Sequence, residues 1–187
     1  MDFMNQFRGF IAVEIPINEK IKKLHNEIAR LPTNIKLVKL ENMHITLKFL
    51  GDTNEDTIEN IHHIIQNSIQ DIQPFSIQLK GTGVFPNQNY IKVIWVGIEK
   101  TEKMSLISSS LNTQLSTLGF KEEKRGFKPH LTIGRVKSAI RKDQLISIID
   151  KYREIIFDDI IIDRIYLKKS TLTPKGPIYE ILKEIKI

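Results

Sequence analysis

The sequence writes His-x-Thr twice, each time inside an alternating apolar run: "MHITLKF" from Met43 to Phe49 and "HLTIGRV" from His130 to Val136. Successive side chains on a strand point to opposite faces, so residues two apart share one. In the first copy Met43, Ile45, Leu47 and Phe49 fall on an apolar face, and His44, Thr46 and Lys48 on the other. In the second, Leu131 and Ile133 take the core while His130 and Thr132 share the opposite side. A chain built this way needs a core on one side of each strand and a cleft on the other.

The segments around the motifs repeat as well. "FRGFIAVEIP" reads as a strand, and "NEKIKKLHNEIARLP" as a helix capped by Asn18 and stopped before Pro32. "VKLENMHITLKFLG" reads as a strand, "NEDTIENIHHIIQNSIQ" as a helix and "FSIQLKGTGVF" as a strand. The order then recurs: strand "YIKVIWVGI", a helix with Thr101 as N-cap and Gly119 as its stop, strand "KPHLTIGRV", helix "KDQLISIIDKY" and strand "IIFDDIIIDRIYLKK". "IYEILKEIKI" closes the chain as a further strand after the turn-rich "STLTPKGP". Two copies of one order predict an α+β fold of two pseudo-symmetric lobes, with antiparallel sheets facing a central cleft and helices outside. No glycine- or serine-rich linker divides them, so residues 1–187 are expected to form a single domain.

At 187 residues, 41% of them hydrophobic, the chain is long enough to bury a real core. It contains no cysteine, which excludes disulfides, thiolate metal sites and cysteine nucleophiles and fits a cytoplasmic location. No apolar run approaches the ~18 residues of a membrane span, so the chain reads as soluble and unexported, with a monomer as the default. A net charge of +6 favours anionic partners such as nucleic acid.

Two imidazoles converging on one cleft suit a reaction in which one proton is removed and another supplied. Histidine titrates near pH 6.5, so one ring serves as base and the other as acid. Threonine hydroxyls donate to the non-bridging oxygens of a phosphate as charge builds. His25, His62 and His63 lie in helix patterns without metal-ligand spacing and read as solvated helix faces. Glu41 is the only carboxylate beside either motif, a poor basis for a zinc site.

With "RGFIAVEIP", "ENMHITLKFLG", "GVFPNQNYIKVIWVGI", "FKPHLTIGRV" and "LKKSTLTPKGPIYEIL", the chain resembles the two-histidine phosphoesterases. Within that superfamily it is most similar to the bacterial and archaeal RNA 2',3'-cyclic phosphodiesterases, long called 2'-5' RNA ligases. The resemblance implies hydrolysis of a 2',3'-cyclic phosphate at an RNA end to a 2'-phosphomonoester, with no metal or organic cofactor. It implies His44 as proton donor to the departing 3'-oxygen, His130 as the base acting on water, and Thr46 and Thr132 as phosphate ligands. The order of acid and base rests on the resemblance alone. Run backwards with a 5'-hydroxyl in place of water, the same chemistry joins RNA ends through a 2'-5' link.

The family also carries a basic residue after the second motif that neutralises phosphate, here Arg135. Strict alternation puts Arg135 on the face of Leu131 and Ile133, away from His130, unless Gly134 supports a bulge. Lys48, on the face of His44, is expected to meet the RNA backbone, and Arg8, Lys121, Lys124, Arg125 and Lys128 to contribute to a basic rim. Phe10, Tyr90, Trp95 and Phe127 read first as core residues and second as stacking surfaces for a base. Two competing readings are a phosphoesterase of small cyclic nucleotides and a non-catalytic RNA-binding module.

Overall fold

The first strand, β1 (Gln6–Glu14), buries Phe7 and every residue from Gly9 to Val13, as expected of a strand inside a sheet rather than at its edge. The structure, a computed structural model, describes residues 6–138, 142–174 and 176–187. Helix α1 (Glu19–Ala29) follows, its first turn capped by Asn18 Oδ1 accepting from the Ile21 amide at 3.0 Å. It buries Ile21, Leu24 and Ile28 along one side. A short strand β2 (Asn34–Leu37) comes next, then a 3-10 turn at Leu40–Asn42 and β3 (His44–Asn54).

The expected continuous strand over "VKLENMHITLKFLG" therefore starts only at His44, because the turn hydrogen bond from Met43 N to Leu40 O coils the residues before it. The remaining elements are α2 (Ile58–Ile69), β4 (Phe75–Asn87), β5 (Tyr90–Glu99), α3 (Glu102–Ser116), β6 (His130–Ser138), α4 (Lys142–Lys151), β7 (Ile156–Ile162), β8 (Arg164–Thr173) and β9 (Gly176–Lys186). Gly119 does stop the third helix, with φ +86 and backbone bonds returning to Ser116 and Leu115. Thr101 precedes that helix without a side-chain cap bond; its carbonyl accepts from Ser105 instead.

Two antiparallel sheets result, one in the order β3-β1-β8-β9 and one in the order β2-β6-β5-β4-β7. They do not coincide with the two halves of the sequence. Strand β4 closes the first half yet pairs with β5 of the second, and β8 and β9 return from the C-terminus to complete the first sheet. The segment "IIFDDIIIDRIYLKK", expected as one strand, breaks at Asp163, whose carbonyl accepts from the Ile187 amide, and feeds both sheets.

The helices cross over in the same manner. α2 packs on α3, with α2 against β9 and α3 against β3, while α1 packs on α4, with α1 against β2 and α4 against β4. A single apolar core runs through both layers, from Ile11, Ile45 and Leu47 in one sheet to Ile94, Leu131 and Ile133 in the other. Interweaving of this kind makes each sheet depend on both halves of the chain. Among the described residues no helix is long and apolar enough to cross a membrane.

Candidate active site

β3 and β6 belong to different sheets and are packed neighbours, which brings the two His-x-Thr motifs to one place. His44, Thr46, His130 and Thr132 are all half-buried, alternating with the buried Ile45 and Leu131. Each histidine is fixed by the same local bond. His44 Nδ1 lies 2.7 Å from the Asn42 carbonyl, and His130 Nδ1 lies 2.7 Å from the Lys128 carbonyl. A carbonyl only accepts, so Nδ1 carries hydrogen in both rings and Nε2 is left for chemistry. Neither Thr46 nor Thr132 bonds another protein group through its hydroxyl among the described residues, so both are available to a ligand.

Aromatic rings pack against both imidazoles. Phe10 and Tyr179 lie 4.9 and 5.3 Å from the His44 ring centre, and Phe85 meets His130 edge-on at 5.1 Å. Behind Phe85, Trp95 lies across Gly83, where a Cβ would sit 2.3 Å from the indole. Burial pushes the His44 imidazole below its usual range, the Asn42 carbonyl opposes that, and the charges of Lys168 and His130 add to the lowering. Lys168 is itself almost fully buried and donates to Glu14 Oε1 at 2.6 Å, directly beside His44 across the β1–β3 ladder. Tyr179 is pushed up by burial and held back by the charge of Arg135. His44 with His130, and Tyr179 with Arg135, are thus electrostatic neighbours across the gap between the sheets.

Both histidine strands bulge at the same step. Opposite β1, Lys48 pairs with Ile11 and Thr46 with Ala12, which leaves Leu47 without a counterpart; opposite β5, Gly134 pairs with Ile94 and Thr132 with Trp95, which leaves Ile133 without one. Past each bulge the faces exchange. Arg135 is exposed beyond the buried Ile133 and Gly134, on the same side as His130 and Thr132. Ile35 Cγ2 and Leu37 Cδ2 press on the core side of Gly134, each 3.1 Å from where a Cβ would sit.

On β3 the same exchange corrects two expectations. Phe49 is not in the core but 64% exposed, and Lys48 does not face a substrate. Only 4% of Lys48 is exposed; its ammonium donates to Asn112 Oδ1 at 2.6 Å and to the Lys121 carbonyl at 2.8 Å.

Other expected residues scatter. Phe10 is buried, yet on the cleft face against His44, and Phe127 packs on the core. Tyr90 is 61% exposed rather than core. Arg8, Lys121, Lys124, Arg125 and Lys128 are exposed, and Lys121, Lys124 and Arg125 line a depression together with Glu122, Glu123 and the Phe49–Gly51 segment, so its charges are mixed. His25 is partly buried and bonds the Val38 carbonyl at 2.9 Å, while His62 and His63 stack on each other on helix α2. No group of three potential metal ligands occurs among the described residues.

Sequence reasoning passed over Tyr179, Phe49, Phe85 and Asn42. Asn42 has a double role: its carbonyl anchors His44, and its amide donates to the Pro177 carbonyl at 3.1 Å, tying the β8–β9 hairpin and Tyr179 to the same corner. The signal for Tyr179 was present in the closing "PKGPIYEIL".

Comparison with known proteins gives the family and the fold. The sequence model of the 2'-5' RNA ligase superfamily matches residues 17–167. A protein of Methanocaldococcus jannaschii named RNA 2',3'-cyclic phosphodiesterase is 45% identical over 179 residues, 95% of this chain and 99% of the relative. Its namesake from Archaeoglobus fulgidus is 37% identical, covering 94% and 98%. Among solved structures, TT0787 of Thermus thermophilus superposes with a TM-score of 0.82 at 24% identity over 96% of this chain and 97% of that one. LigT of E. coli complexed with 3'-AMP does so at 0.74 and 20% identity, covering 98% and 99%. By sequence over nearly its whole length, and by fold, the chain belongs to the 2'-5' RNA ligase superfamily.

Proposed function

We propose that the protein hydrolyses 2',3'-cyclic phosphate ends of RNA to 2'-phosphomonoesters without a metal. The observation that carries this reading is a pair of imidazoles, each with Nδ1 tied to a carbonyl, presenting Nε2 to one cleft beside two hydroxyls that have no protein partner among the described residues. The relatives named RNA 2',3'-cyclic phosphodiesterase support the substrate class.

In the proposed step the water oxygen attacks phosphorus opposite the 3'-oxygen, and His130 Nε2 takes the water proton. The P–O3' bond breaks, its electron pair stays on oxygen, and His44 Nε2 supplies the proton that makes the 3'-hydroxyl. Thr46, Thr132 and Arg135 hold the phosphate oxygens as charge accumulates. Burial favours neutral His44, and the anionic phosphate offsets that by favouring the protonated ring, so substrate and acid proton arrive together. The two histidines leave the cycle with their protonation exchanged, and solvent resets them. With a 5'-hydroxyl replacing water, the reverse reaction forms a 2'-5' link. We place the activity in a monomer, since one chain supplies both motifs, and in the cytoplasm, which a cysteine-free sequence fits.

The test is an RNA carrying a 2',3'-cyclic end, incubated with excess chelator, followed by identification of the terminal phosphate. A 2'-phosphate is expected, with turnover lowered about 10²- to 10⁴-fold in His44→Ala and in His130→Ala. Undiminished turnover in both variants, or a 3'-phosphate product, removes the proposal.

A further inference from the structure

Lys36 on β2 and Arg135 on β6 are direct cross-strand partners. Ile35 and Leu37 fill the core side of Gly134, so Lys36 points the other way, to the side of Arg135. Both cations are exposed, and neither meets a carboxylate among the described residues. Like charges directly opposite each other destabilise a sheet. Here they stand at the one end of the cleft that also receives the β8–β9 hairpin: the Lys36 ammonium lies 4.0 Å from where a Cβ on Gly176 would be, and the charge of Arg135 reaches Tyr179. The strand β2 that carries Lys36 extends the sheet beyond β6 and is held there by Val38 N donating to the Ile133 carbonyl at 2.9 Å.

From these placements we infer that Lys36 binds a second phosphate of the substrate, the internucleotide phosphodiester immediately upstream of the cyclic end, with Arg135 standing between it and the reacting phosphate. The inference rests on the cyclic phosphodiesterase reading and deepens it to a preference for a polymer over a mononucleotide. Thr132 marks the reacting phosphate. Arg135 lies about 7 Å further along β6, two strand rises once the bulged residue is discounted, and Lys36 about 5 Å further again, one strand across. That progression follows a ribonucleotide chain leaving the site phosphate by phosphate. An anion between the two cations also removes the repulsion that the unliganded sheet carries.

The experiment compares wild type, Lys36→Met and Lys36→Arg on two substrates, a nucleoside 2',3'-cyclic phosphate and a short oligoribonucleotide with the same end. Lys36→Met is expected to lower kcat/KM on the oligonucleotide about tenfold more than on the mononucleotide, chiefly through KM. Lys36→Arg restores most of the loss.

Independently of turnover, wild type and Lys36→Met are titrated with a 3'-phosphorylated oligoribonucleotide across a salt series. The slope of log affinity against log salt should fall by about 0.7 in the variant, the value for one single-strand phosphate contact. The melting temperature should stay level or rise, since a repulsion has been removed. Equal losses on both substrates, an unchanged salt slope, or a lower melting temperature overturns the assignment. If wild type turns over neither substrate, the enzymatic reading falls, and the salt slope still decides whether Lys36 holds a phosphate.

Discussion

Phe49 and Arg135 occupy the same position on the two histidine strands, each two residues past the bulged residue that turns it onto the cleft face. One copy of the duplicated strand thus ends in an aromatic ring and the other in a guanidinium. A nucleotide end has the same two parts, a base to be stacked and phosphates to be neutralised.

Replacement of Phe49 by alanine should raise KM for an RNA end about 5- to 150-fold, the range for loss of one base–aromatic stack, with kcat little changed. Phe49→Tyr should retain near-native KM. Because the ring is 64% exposed, stability should move by less than about 0.5 kcal/mol. Steady-state kinetics with a urea melt checks both expectations; a fall in kcat at constant KM would show that the ring serves the reacting centre instead.

His44 links stability to pH. Its folded-state pKa is depressed, first by burial, while the unfolded chain binds the same proton near pH 6.5. Below that value the unfolded state therefore holds more protons than the native one, so stability rises with pH from the depressed value up to about 6.5 and then levels off. In His44→Gln the gain in urea midpoint between pH 5 and pH 7 should shrink. NMR titration should place the His44 ring below the ordinary histidine value in the free protein and move it upward when inorganic phosphate is added. A free-protein titration at or above the ordinary value contradicts the burial argument.

The site was legible because its information is local. A spacing of two on a strand puts His44 beside Thr46 and His130 beside Thr132 whatever the rest of the chain does. What alternation missed lies beyond the bulges, since one extra residue reverses the faces that follow it: Lys48 went inward, and Phe49 and Arg135 came out. Gly134 hinted at the second bulge, while nothing in "TLKF" marked the first. The exchange of strands between sheets was illegible for a different reason. The patterns of β4, β7 and β8 do not mark one sheet over the other, so their partners are chosen by packing across the whole molecule rather than by their own pattern.

Lys48 fastens the segment that delivers the second histidine. Its ammonium holds the Lys121 carbonyl, and Asn112, which it also contacts, accepts from the Glu123 amide at 2.8 Å. Six residues separate Lys121 from Lys128, whose carbonyl anchors His130. Lys48→Met keeps the buried stem, takes the donor from the Lys121 carbonyl and leaves Asn112 Oδ1 with the Glu123 amide alone, at a cost of about 1–3 kcal/mol in urea unfolding. Hydrogen exchange of amides in residues 121–128 should accelerate, and kcat should fall more than KM rises, because the looser group is the one that orients His130. Equal protection of that segment in both proteins would separate Lys48 from His130.

Gly83 is tightly enclosed behind the second histidine. An added Cβ would lie 2.3 Å from two atoms of the Trp95 ring and 2.9 Å from a third, too close for any side chain to share the space. The indole must then lift off the sheet; Phe85, 5.3 Å from it, must move too, and His130 loses the edge-on contact that steadies its ring. Gly83→Ala should cost about 1–3 kcal/mol of stability, the usual range for overpacking, and lower kcat by about tenfold. Trp95 is the only tryptophan in the chain, and its Nε1 is buried without a partner among the described residues, so its emission reports the displacement directly as a shift to longer wavelength. A variant whose emission shifts while kcat holds would show that His130 is oriented by the Lys128 carbonyl alone, and that the aromatic stack behind it serves the fold rather than the reaction.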